Sequence, residues 1–182
     1  YLRITDFGLS RENVGNSSGA KSICGTPEYL APEIVMKLEY GKAVDWWTVG
    51  SIIYEMLVGA PPFYTENRQE LFERIKFDLP KYPSSLSVNA KNLIEGLLKK
   101  DPNKRMGTIT RVREHPWFGD INWQALFEKR YAAPFVPKIK DEADTSHFDS
   151  VFTDEPLSTP YSITDSLKET GKNYIGFSYD AE

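Results

Sequence analysis

The chain has few of the residues that build disulfides and metal sites. Its 182 residues include one cysteine, Cys24, and two histidines, His115 and His147. A single cysteine excludes an internal disulfide, which fits a reducing compartment. We therefore expect the protein in the cytoplasm, with the nucleus as an alternative location. The spacing of the cysteine and the two histidines does not match a set of zinc ligands.

Long hydrophobic runs and blocks of positive charge are also missing. The longest apolar stretches fall well short of a membrane span. No cluster of lysine or arginine indicates nucleic acid or anionic lipid as a partner. The net charge is −4, from 22 basic and 26 acidic residues. These features predict no transmembrane segment and no nucleic-acid partner, and they mildly favour basic protein partners.

Hydrophobic periodicity predicts helices over most of the first two thirds of the chain. Residues Leu2–Thr5 alternate between apolar and polar side chains, which predicts a short strand. A polar run from Arg11 to Lys21 predicts a loop. The segment 46–58 is apolar on nearly all sides, which predicts a buried central helix. Asp45 is its predicted N-cap, and Gly59 its predicted end.

Two amphipathic helices are predicted after the central one. Thr65 is the predicted cap of the first and Ser87 the predicted cap of the second. On their exposed faces, charged pairs four residues apart are expected at Glu70–Arg74 and Glu95–Lys99. The predicted core residues are Leu71, Phe72 and Ile75 in the first helix, and Ala90, Leu93, Ile94, Leu97 and Leu98 in the second.

The character of the chain changes near Tyr131. Four prolines are spread among Ser, Thr, Asp and Glu, and no long periodic segment follows. This composition predicts an extended tail that is stiff where proline occurs. The tail ends in an aromatic cluster, Tyr174, Phe177 and Tyr179.

A set of short motifs occurs in a fixed order along the chain. Asp6-Phe7-Gly8 alone is only weak evidence for a function, because a fixed tripeptide occurs by chance in about one or two per cent of chains of this length. Here it is followed, in order, by four further short motifs. The motifs that follow are Cys24-Gly25-Thr26-Pro27-Glu28-Tyr29-Leu30, Ala31-Pro32-Glu33, Asp45-Trp46-Trp47 and Asp101-Pro102-Asn103-Lys104-Arg105. Their conjunction leaves little room for coincidence.

With these motifs the sequence resembles the AGC group of serine/threonine protein kinases, over essentially the whole chain. The segments 25–33 and 42–47 carry the most specific part of the likeness. The ending 174–179 resembles the hydrophobic motif of serum- and glucocorticoid-regulated kinase and protein kinase B, with tyrosine where phenylalanine is common. The choice between these two types stays open.

The resemblance implies a mainly α fold. Residues 1–118 would form the helical C-lobe of a kinase domain from the Asp-Phe-Gly strand onward, with an activation segment at 6–33. Residues 119–182 would form an extended AGC C-terminal tail with turn and hydrophobic motifs. The N-lobe is absent from this sequence, so we interpret the chain as part of a longer protein.

The resemblance also implies ATP and magnesium as cofactors. Asp6 would hold magnesium against the nucleotide phosphates, because hard oxygen ligands suit this ion. Gly8 would give the backbone freedom to move that carboxylate. Thr26 would support the catalytic aspartate through its hydroxyl. Phe148 would close over the adenine pocket.

Five residues would bind the protein substrate. Glu28 and Glu55 match positions that bind arginine near the phosphoacceptor, and a carboxylate can pair with arginine through two hydrogen bonds. A surface or structural charge is the alternative for each glutamate. Ile23, Pro27 and Leu30 would form an apolar pocket for the residue after the phosphoacceptor. The implied partners are protein substrates with basic residues near the acceptor.

Three residues would be phosphorylation sites: Ser22 in the activation segment, Thr159 in the turn motif and Ser178 in the hydrophobic motif. A phosphate on Ser22 would order the loop against an arginine. The resemblance indicates a phosphoinositide-dependent-type kinase as the enzyme acting on Ser22. The terminal aromatic cluster, through Tyr174 and Phe177, would dock on the protein's own N-lobe.

The resemblance gives structural roles to three charged residues. Glu33 and Arg105 would pair and clamp the activation segment to the lower helices. A buried pair of this kind is costly to break from one side. Asp45 would anchor the catalytic loop by hydrogen bonds in addition to capping its helix.

The sequence lacks the glycine-rich phosphate loop, the lysine that pairs with a helix glutamate, and the His-Arg-Asp loop. We therefore expect residues 1–182 alone to be inactive and monomeric, while the longer protein transfers the γ-phosphate of ATP to serine or threonine. A non-catalytic pseudokinase or scaffold is the alternative. A binding module in its own right is a third reading, weakened because the tail would have no small lobe to wrap.

Overall fold

A computed structural model describes residues 1–16 and 18–156, and the regular structure in these residues is helical. The α-helices are α1 (Pro32–Val35), α2 (Ala43–Val58), α3 (Arg68–Phe77), α4 (Val88–Leu97), α5 (Ile109–Arg113), α6 (Trp123–Phe127) and α7 (Ser150–Thr153). Short 3₁₀ helices occupy Pro27–Tyr29 and Pro116–Phe118. The mainly α prediction is confirmed for the part of the chain that is described.

The predicted strand at Leu2–Thr5 is wrong. These residues have no regular structure, and the side chains of Leu2 and Ile4 are 96% and 86% exposed. A strand needs a neighbour for its backbone hydrogen bonds, and no described segment pairs with residues 2–5. The β-type pairing in the described residues is a single antiparallel bridge between Ala20 and Tyr40.

The chain divides into two compact units, residues 1–132 and 133–182. The first unit holds α1 to α6, and the second holds α7. The division into a catalytic part and a tail at residue 118 stays a prediction.

The central helix α2 begins earlier than expected, at Ala43, and Asp45 is not its N-cap. Lys42 occupies the cap position without a side-chain hydrogen bond, and Asp45 lies in the first turn. The backbone amides of Lys42 and Ala43 instead donate to the carbonyl oxygens of Gly15 and Asn16, both at 2.9 Å. The next two amides, of Val44 and Asp45, donate to the carbonyl oxygens of Gly41 and Lys42, both at 3.2 Å, so the first turn is satisfied without a side-chain cap.

Helix α2 ends where the sequence predicts, but the helix is less buried than predicted. Gly59 ends the helix in the left-handed conformation, with φ of 95°. Trp47 is fully buried, whereas Met56 is 73% exposed. The prediction of a helix buried on all sides is therefore wrong for this chain. One face packs on α4 and its neighbours, and the other face, which contains Val49, Ile52, Met56 and Leu57, is partly exposed.

Helix α3 is capped by Asn67 and not by Thr65. The side-chain oxygen of Asn67 accepts hydrogen bonds from the amides of Gln69 and Glu70, at 2.9 and 3.1 Å. Thr65 donates its hydroxyl to the Glu70 carboxylate at 3.1 Å. Asn67 caps the helix because it lies directly before it, where its side-chain oxygen reaches the free amides of the first turn.

Helix α4 follows the prediction closely. Ser87 caps it by accepting from the Ala90 amide at 3.2 Å. The predicted core residues of α4 are all buried, and those of α3 are buried at Leu71 and Ile75 and half-buried at Phe72. The predicted pair Glu70–Arg74 is present at 2.6 Å. The second predicted pair is wrong, because Glu95 lies 3.9 Å from Lys91, one turn before it, and not beside Lys99.

A stack of aromatic rings sits at the centre of the core. Trp47 of α2 and Phe63 lie 5.7 Å apart with an interplanar angle of 8°. The ammonium of Lys100 lies 5.1 Å from the Trp47 ring and 4.1 Å from the Phe63 ring. The same ammonium donates to the carbonyls of Arg74 and Ile75 near the end of α3. Lys100 thus joins α3 to the aromatic stack.

Candidate functional site

The predicted activation segment, residues 6–33, begins with an exposed carboxylate. Asp6 has a φ of 59°, a left-handed conformation that aspartate tolerates better than most side chains. The Gly8 amide donates to Asp6 Oδ1 at 3.3 Å, which closes a local turn. In the described residues, no group of three His, Cys, Asp or Glu could enclose a metal ion. Asp6 therefore offers one carboxylate, which suits a magnesium ion that takes its other ligands from phosphates and water.

The end of the activation segment is held by a buried ion pair. Arg105 donates to Glu33 through two nitrogens, at 2.7 and 2.9 Å. The same guanidinium donates to the carbonyls of Ala43 and Lys99, at 2.8 and 2.9 Å. Both charged side chains are almost completely buried. The pairing expected between Glu33 and Arg105 is thus present, and it links the segment to the start of α2 and to the chain after α4.

Two of the predicted substrate-binding residues come together around Tyr29. The Tyr29 hydroxyl donates to Glu55 Oε2 at 2.7 Å. This hydrogen bond is the main reason that the pKa of Tyr29 is raised, followed by burial and by the negative charges of Glu55 and Glu28. The Thr48 hydroxyl donates to the Tyr29 carbonyl at 3.2 Å and fixes the backbone. We call Glu28, Tyr29 and Glu55 the acidic patch.

The acidic patch has unused acceptor capacity. Tyr29 occupies one oxygen of Glu55. Neither Glu55 Oε1 nor the Glu28 carboxylate has a hydrogen-bond partner among the described residues. Both glutamates are half-buried. Since half-burial weakens the screening of charge by water, a cationic side chain would be attracted more strongly here than at an open surface.

The three residues of the predicted apolar pocket lie in different environments. Ile23 is 53% exposed, Pro27 is half-buried, and Leu30 is 7% exposed within the core. Leu30 packs in the same cluster as Ala31 and Ile34. Leu30 therefore serves the core, and the pocket role of the three residues stays a prediction.

Thr26 precedes the first 3₁₀ helix and supports it through its backbone. Its carbonyl accepts from the Tyr29 amide at 3.1 Å, and its hydroxyl makes no cap hydrogen bond. The side chain is exposed. Its hydroxyl is therefore available for the predicted contact with a catalytic aspartate.

Ser22 is in contact with a residue that the sequence did not indicate. Its hydroxyl lies 3.0 Å from the Tyr40 hydroxyl, which in turn donates to the Ser22 carbonyl at 2.7 Å. Like Tyr29, Tyr40 was missed because its partner lies far along the chain. A tyrosine next to a polar motif is the sequence signal that could have suggested a hydrogen bond from its hydroxyl.

Lys100 is the third residue that sequence reasoning missed. Burial lowers its pKa to about 8, the charge of Asp78 raises it, and the charge of Arg105 lowers it. The doublet Lys99-Lys100 reads as a solvated helix end, and the hydrophobic pattern before it gives no hint that one lysine turns inward.

The described part of the tail contains one predicted cofactor residue. Phe148 is 67% exposed, and its amide donates to the Thr145 carbonyl at 2.9 Å. Asp149 then caps α7 by accepting from the Val151 amide at 3.0 Å. The other predicted tail sites lie outside the described residues, namely Thr159, Ser178, Tyr174, Phe177 and Tyr179.

Comparison with known families and proteins identifies the class of the chain. The family described as "Protein kinase domain" matches residues 1–118, and "Protein kinase C terminal domain" matches residues 139–179. The chain belongs to the protein kinase family and, within it, to the AGC serine/threonine kinases. The resemblance stated from the motifs is confirmed. The family implies ATP and a divalent metal as cofactors.

Named relatives are similar along nearly the whole chain. A RAC family serine/threonine-protein kinase homolog of Dictyostelium discoideum is 42% identical over 100% of this chain, which covers 41% of that protein. Serine/threonine-protein kinase Sgk1 of Gallus gallus is 41% identical over 98% of the chain, covering 44% of that protein. Human protein kinase C delta type is 40% identical over 98%, covering 27%. The chain thus spans less than half the length of these relatives.

None of the described helices combines the length and apolar character that a membrane crossing requires.

Proposed function

We propose that this chain is part of an ATP-dependent kinase that phosphorylates serine or threonine next to basic residues in proteins. The observation that carries the proposal is the acidic patch. Glu28 and Glu55 are held near Tyr29, and both keep carboxylate oxygens that no described residue uses. An arginine of a protein substrate is the natural partner of such a site, because guanidinium and carboxylate pair through two charge-assisted hydrogen bonds.

The roles of the nucleotide-binding residues follow from phosphoryl transfer. When bound, ATP with magnesium supplies the transferred phosphoryl group, and catalysis consists of positioning and charge neutralisation. Asp6 would bind the metal with its exposed carboxylate. Thr26 would offer its hydroxyl to the catalytic aspartate of the longer protein. Phe148 would contribute an aromatic contact to the adenine.

Regulation would act through phosphorylation of the activation segment and the tail. Ser22 is the proposed target of a phosphoinositide-dependent-type kinase, and Thr159 and Ser178 are the proposed tail sites. The terminal aromatic residues would dock on the protein's own N-lobe. We also propose a monomeric protein in the cytoplasm, with the nucleus as a second location.

The test measures phosphate transfer from ATP by the full-length protein that contains this chain. Two serine peptides would be compared, one with arginines near the acceptor and one with these arginines replaced by alanine. Glu55→Gln should reduce the preference for the arginine peptide about tenfold, because a hydrogen bond to a charged group is worth about 1.5–3 kcal/mol. Glu66→Gln is the matched control, since Glu66 is exposed and its carboxylate forms no hydrogen bond or ion pair in the described residues.

Each outcome has a distinct meaning. If Glu55→Gln leaves the peptide preference unchanged, the acidic patch does not read basic residues. If the full-length protein transfers no phosphate, the non-catalytic alternative, a pseudokinase or scaffold, is favoured. Residues 1–182 alone should be inactive, because they lack the glycine-rich loop, the lysine and the His-Arg-Asp loop. Transfer by this chain alone would contradict that expectation.

A further inference from the structure

Ser22 and Tyr40 share two hydrogen bonds across 18 positions of sequence. The Tyr40 hydroxyl has one proton, and it donates to the Ser22 carbonyl at 2.7 Å. The second contact joins Ser22 Oγ and Tyr40 Oη at 3.0 Å. Since the tyrosine proton is already used, Ser22 must be the donor in this second contact. The side chain of Ser22 is thus engaged even though the residue is exposed.

Backbone contacts continue this pairing on the N-terminal side of Ser22. Ala20 and Tyr40 exchange two backbone hydrogen bonds, at 3.0 and 2.9 Å. The Gly19 amide donates to Glu39 Oε1 at 2.9 Å. Ala20 is 4% exposed, in contrast to its neighbours. The short stretch around Ala20 is therefore held against the turn that precedes α2.

The ring of Tyr40 provides a fixed support for these contacts. It packs, half-buried, against the main core cluster that contains Leu30, Ile34 and Trp47. The hydroxyl is thus carried by a side chain whose position the core determines. A contact made to such a side chain costs less ordering than one between two mobile side chains.

We propose that Tyr40 and Ser22 form a latch that holds the activation segment in place until Ser22 is phosphorylated. In the unphosphorylated chain, the Tyr40 hydroxyl binds the hydroxyl and the carbonyl oxygen of Ser22 and withholds the Ser22 hydroxyl from an upstream kinase. Opening of the latch precedes phosphorylation, and phosphorylation keeps it open. The proposal deepens the proposed function, because it takes Ser22 as the regulatory phosphorylation site.

The chemistry of phosphorylation accounts for the opening. Transfer from ATP forms an ester bond between the γ-phosphorus and Ser22 Oγ, breaks the bond from this phosphorus to ADP, and passes the serine proton to a base of the upstream kinase. The ester oxygen has no proton to donate to Tyr40. Tyr40 can donate its single proton to the phosphate only by releasing the Ser22 carbonyl. The added charge of about −1.5 to −2 also lies three residues from Gly19, whose amide holds the Glu39 carboxylate.

The direct test is amide hydrogen exchange in the 182-residue chain. Tyr40→Phe keeps the ring in the core and removes both side-chain hydrogen bonds. The Ala20 amide, whose own hydrogen bond to the Tyr40 carbonyl is left intact, should exchange about three- to tenfold faster, the range expected for loss of one or two exposed hydrogen bonds. Tyr64→Phe is the matched control, because Tyr64 is 52% exposed and its hydroxyl makes no hydrogen bond in the described residues.

Ser22→Ala serves as the second variant. It removes the Ser22 hydroxyl and leaves the bond from Tyr40 to the Ser22 carbonyl, so its effect should be smaller than that of Tyr40→Phe. Combining the two changes should add little to Tyr40→Phe alone, because Tyr40→Phe already removes both contacts. Unchanged exchange at Ala20 in Tyr40→Phe, or equal effects of Tyr40→Phe and Tyr64→Phe, overturns the latch.

A second arm tests the link to phosphorylation. A phosphoinositide-dependent-type kinase with magnesium and ATP should phosphorylate Ser22 about three- to tenfold faster in Tyr40→Phe than in the wild type, matching the shift in opening. The phosphorylated wild type should exchange at Ala20 as fast as Tyr40→Phe. Slower exchange after phosphorylation, or an unchanged phosphorylation rate, overturns the gating role. If no variant is phosphorylated at Ser22, the proposed regulation fails, and exchange in Tyr40→Phe decides the latch alone.

Discussion

The two ends of the activation segment are held by different kinds of contact. Its last residues enter a buried network in which Glu33 and Arg105 are 3% and 2% exposed. Its first residues lie in the open, with Phe7 65% exposed and Asp6 bonded only to its own turn. Between them, Ser22 is held by exposed hydrogen bonds to Tyr40. Between Asp6 and Glu33 the segment thus passes from local contacts to a buried ion pair.

This difference determines which part can respond to a signal. A buried charge without its partner is expensive, so the end at Glu33 has one stable arrangement. An exposed hydrogen bond contributes little, because water replaces it when it breaks. The segment can therefore change at Ser22 while its end stays fixed. The loss in free energy of unfolding should therefore be largest when a buried polar contact is removed, smaller for a half-buried contact and smallest for an exposed one.

Removal of Arg105 should have the largest effect. Arg105→Met leaves the Glu33 carboxylate buried without a partner, and the free energy of unfolding should fall by about 3–5 kcal/mol. Urea unfolding followed by tryptophan fluorescence would measure it. Lys104→Met is the control, because Lys104 is 79% exposed and its pair with Asp101 spans 3.8 Å.

A double variant separates the cost of the orphaned charge from the value of the pair. Arg105→Met combined with Glu33→Leu removes both charges and should recover a large part of the lost stability. If the double variant is as unstable as Arg105→Met, the bonds from Arg105 to the Ala43 and Lys99 carbonyls, and not the ion pair, dominate this anchor.

The half-burial of Lys100 should make the free energy of unfolding depend on pH. Its pKa is lowered to about 8 in the folded chain from the ordinary 10.5. Between these values the unfolded chain binds more protons than the folded one, so this group makes stability rise as pH increases from 8 towards 10. The slope is limited to about 1.4 kcal/mol per pH unit for one proton and will be smaller because water reaches part of the side chain.

Lys100→Met provides the comparison for this slope. The stability of the wild type relative to Lys100→Met should increase from pH 8 to pH 10, as measured by urea unfolding at each pH. Lys104→Met should show no such trend relative to the wild type. A wild type that loses stability relative to Lys100→Met over this range would mean that the ring contacts and the carbonyls of Arg74 and Ile75 keep the ammonium charged.

Local sequence signals predicted the parts of the fold that depend on neighbouring residues. Ser87 lies directly before a periodic apolar run, and it caps α4 as expected. Gly59 ends α2 in the left-handed conformation that glycine adopts readily. Asp45 failed as a cap because α2 begins two residues before it, where the amides of Lys42 and Ala43 donate to the carbonyls of Gly15 and Asn16, which are distant in sequence. No local pattern contains that information.

The candidate site divides in the same way. The pairing of Glu33 with Arg105, 72 residues apart, followed from the family resemblance and not from periodicity. The hydroxyl contacts of Tyr29 and Tyr40 span 26 and 18 residues, and no motif announced them. The half-burial of Lys100 was not predicted, because nothing in the sequence distinguishes it from the neighbouring Lys99, which is exposed.

The Asn67 cap of α3 is an exposed polar contact, and its removal should therefore cost less stability than removal of the buried ion pair. Asn67→Ala removes the acceptor of two backbone amides and should lower the free energy of unfolding by about 1 kcal/mol. Thr65→Ala, the change at the residue that the sequence favoured, should cost less than about 0.5 kcal/mol, since it removes one exposed hydrogen bond to Glu70. Urea unfolding of both variants decides between the two caps. A larger loss for Thr65→Ala would restore the cap predicted from the sequence. A loss for Asn67→Ala that matches Arg105→Met would show that an exposed contact can anchor this chain as firmly as a buried one, because its removal frees two amides at once.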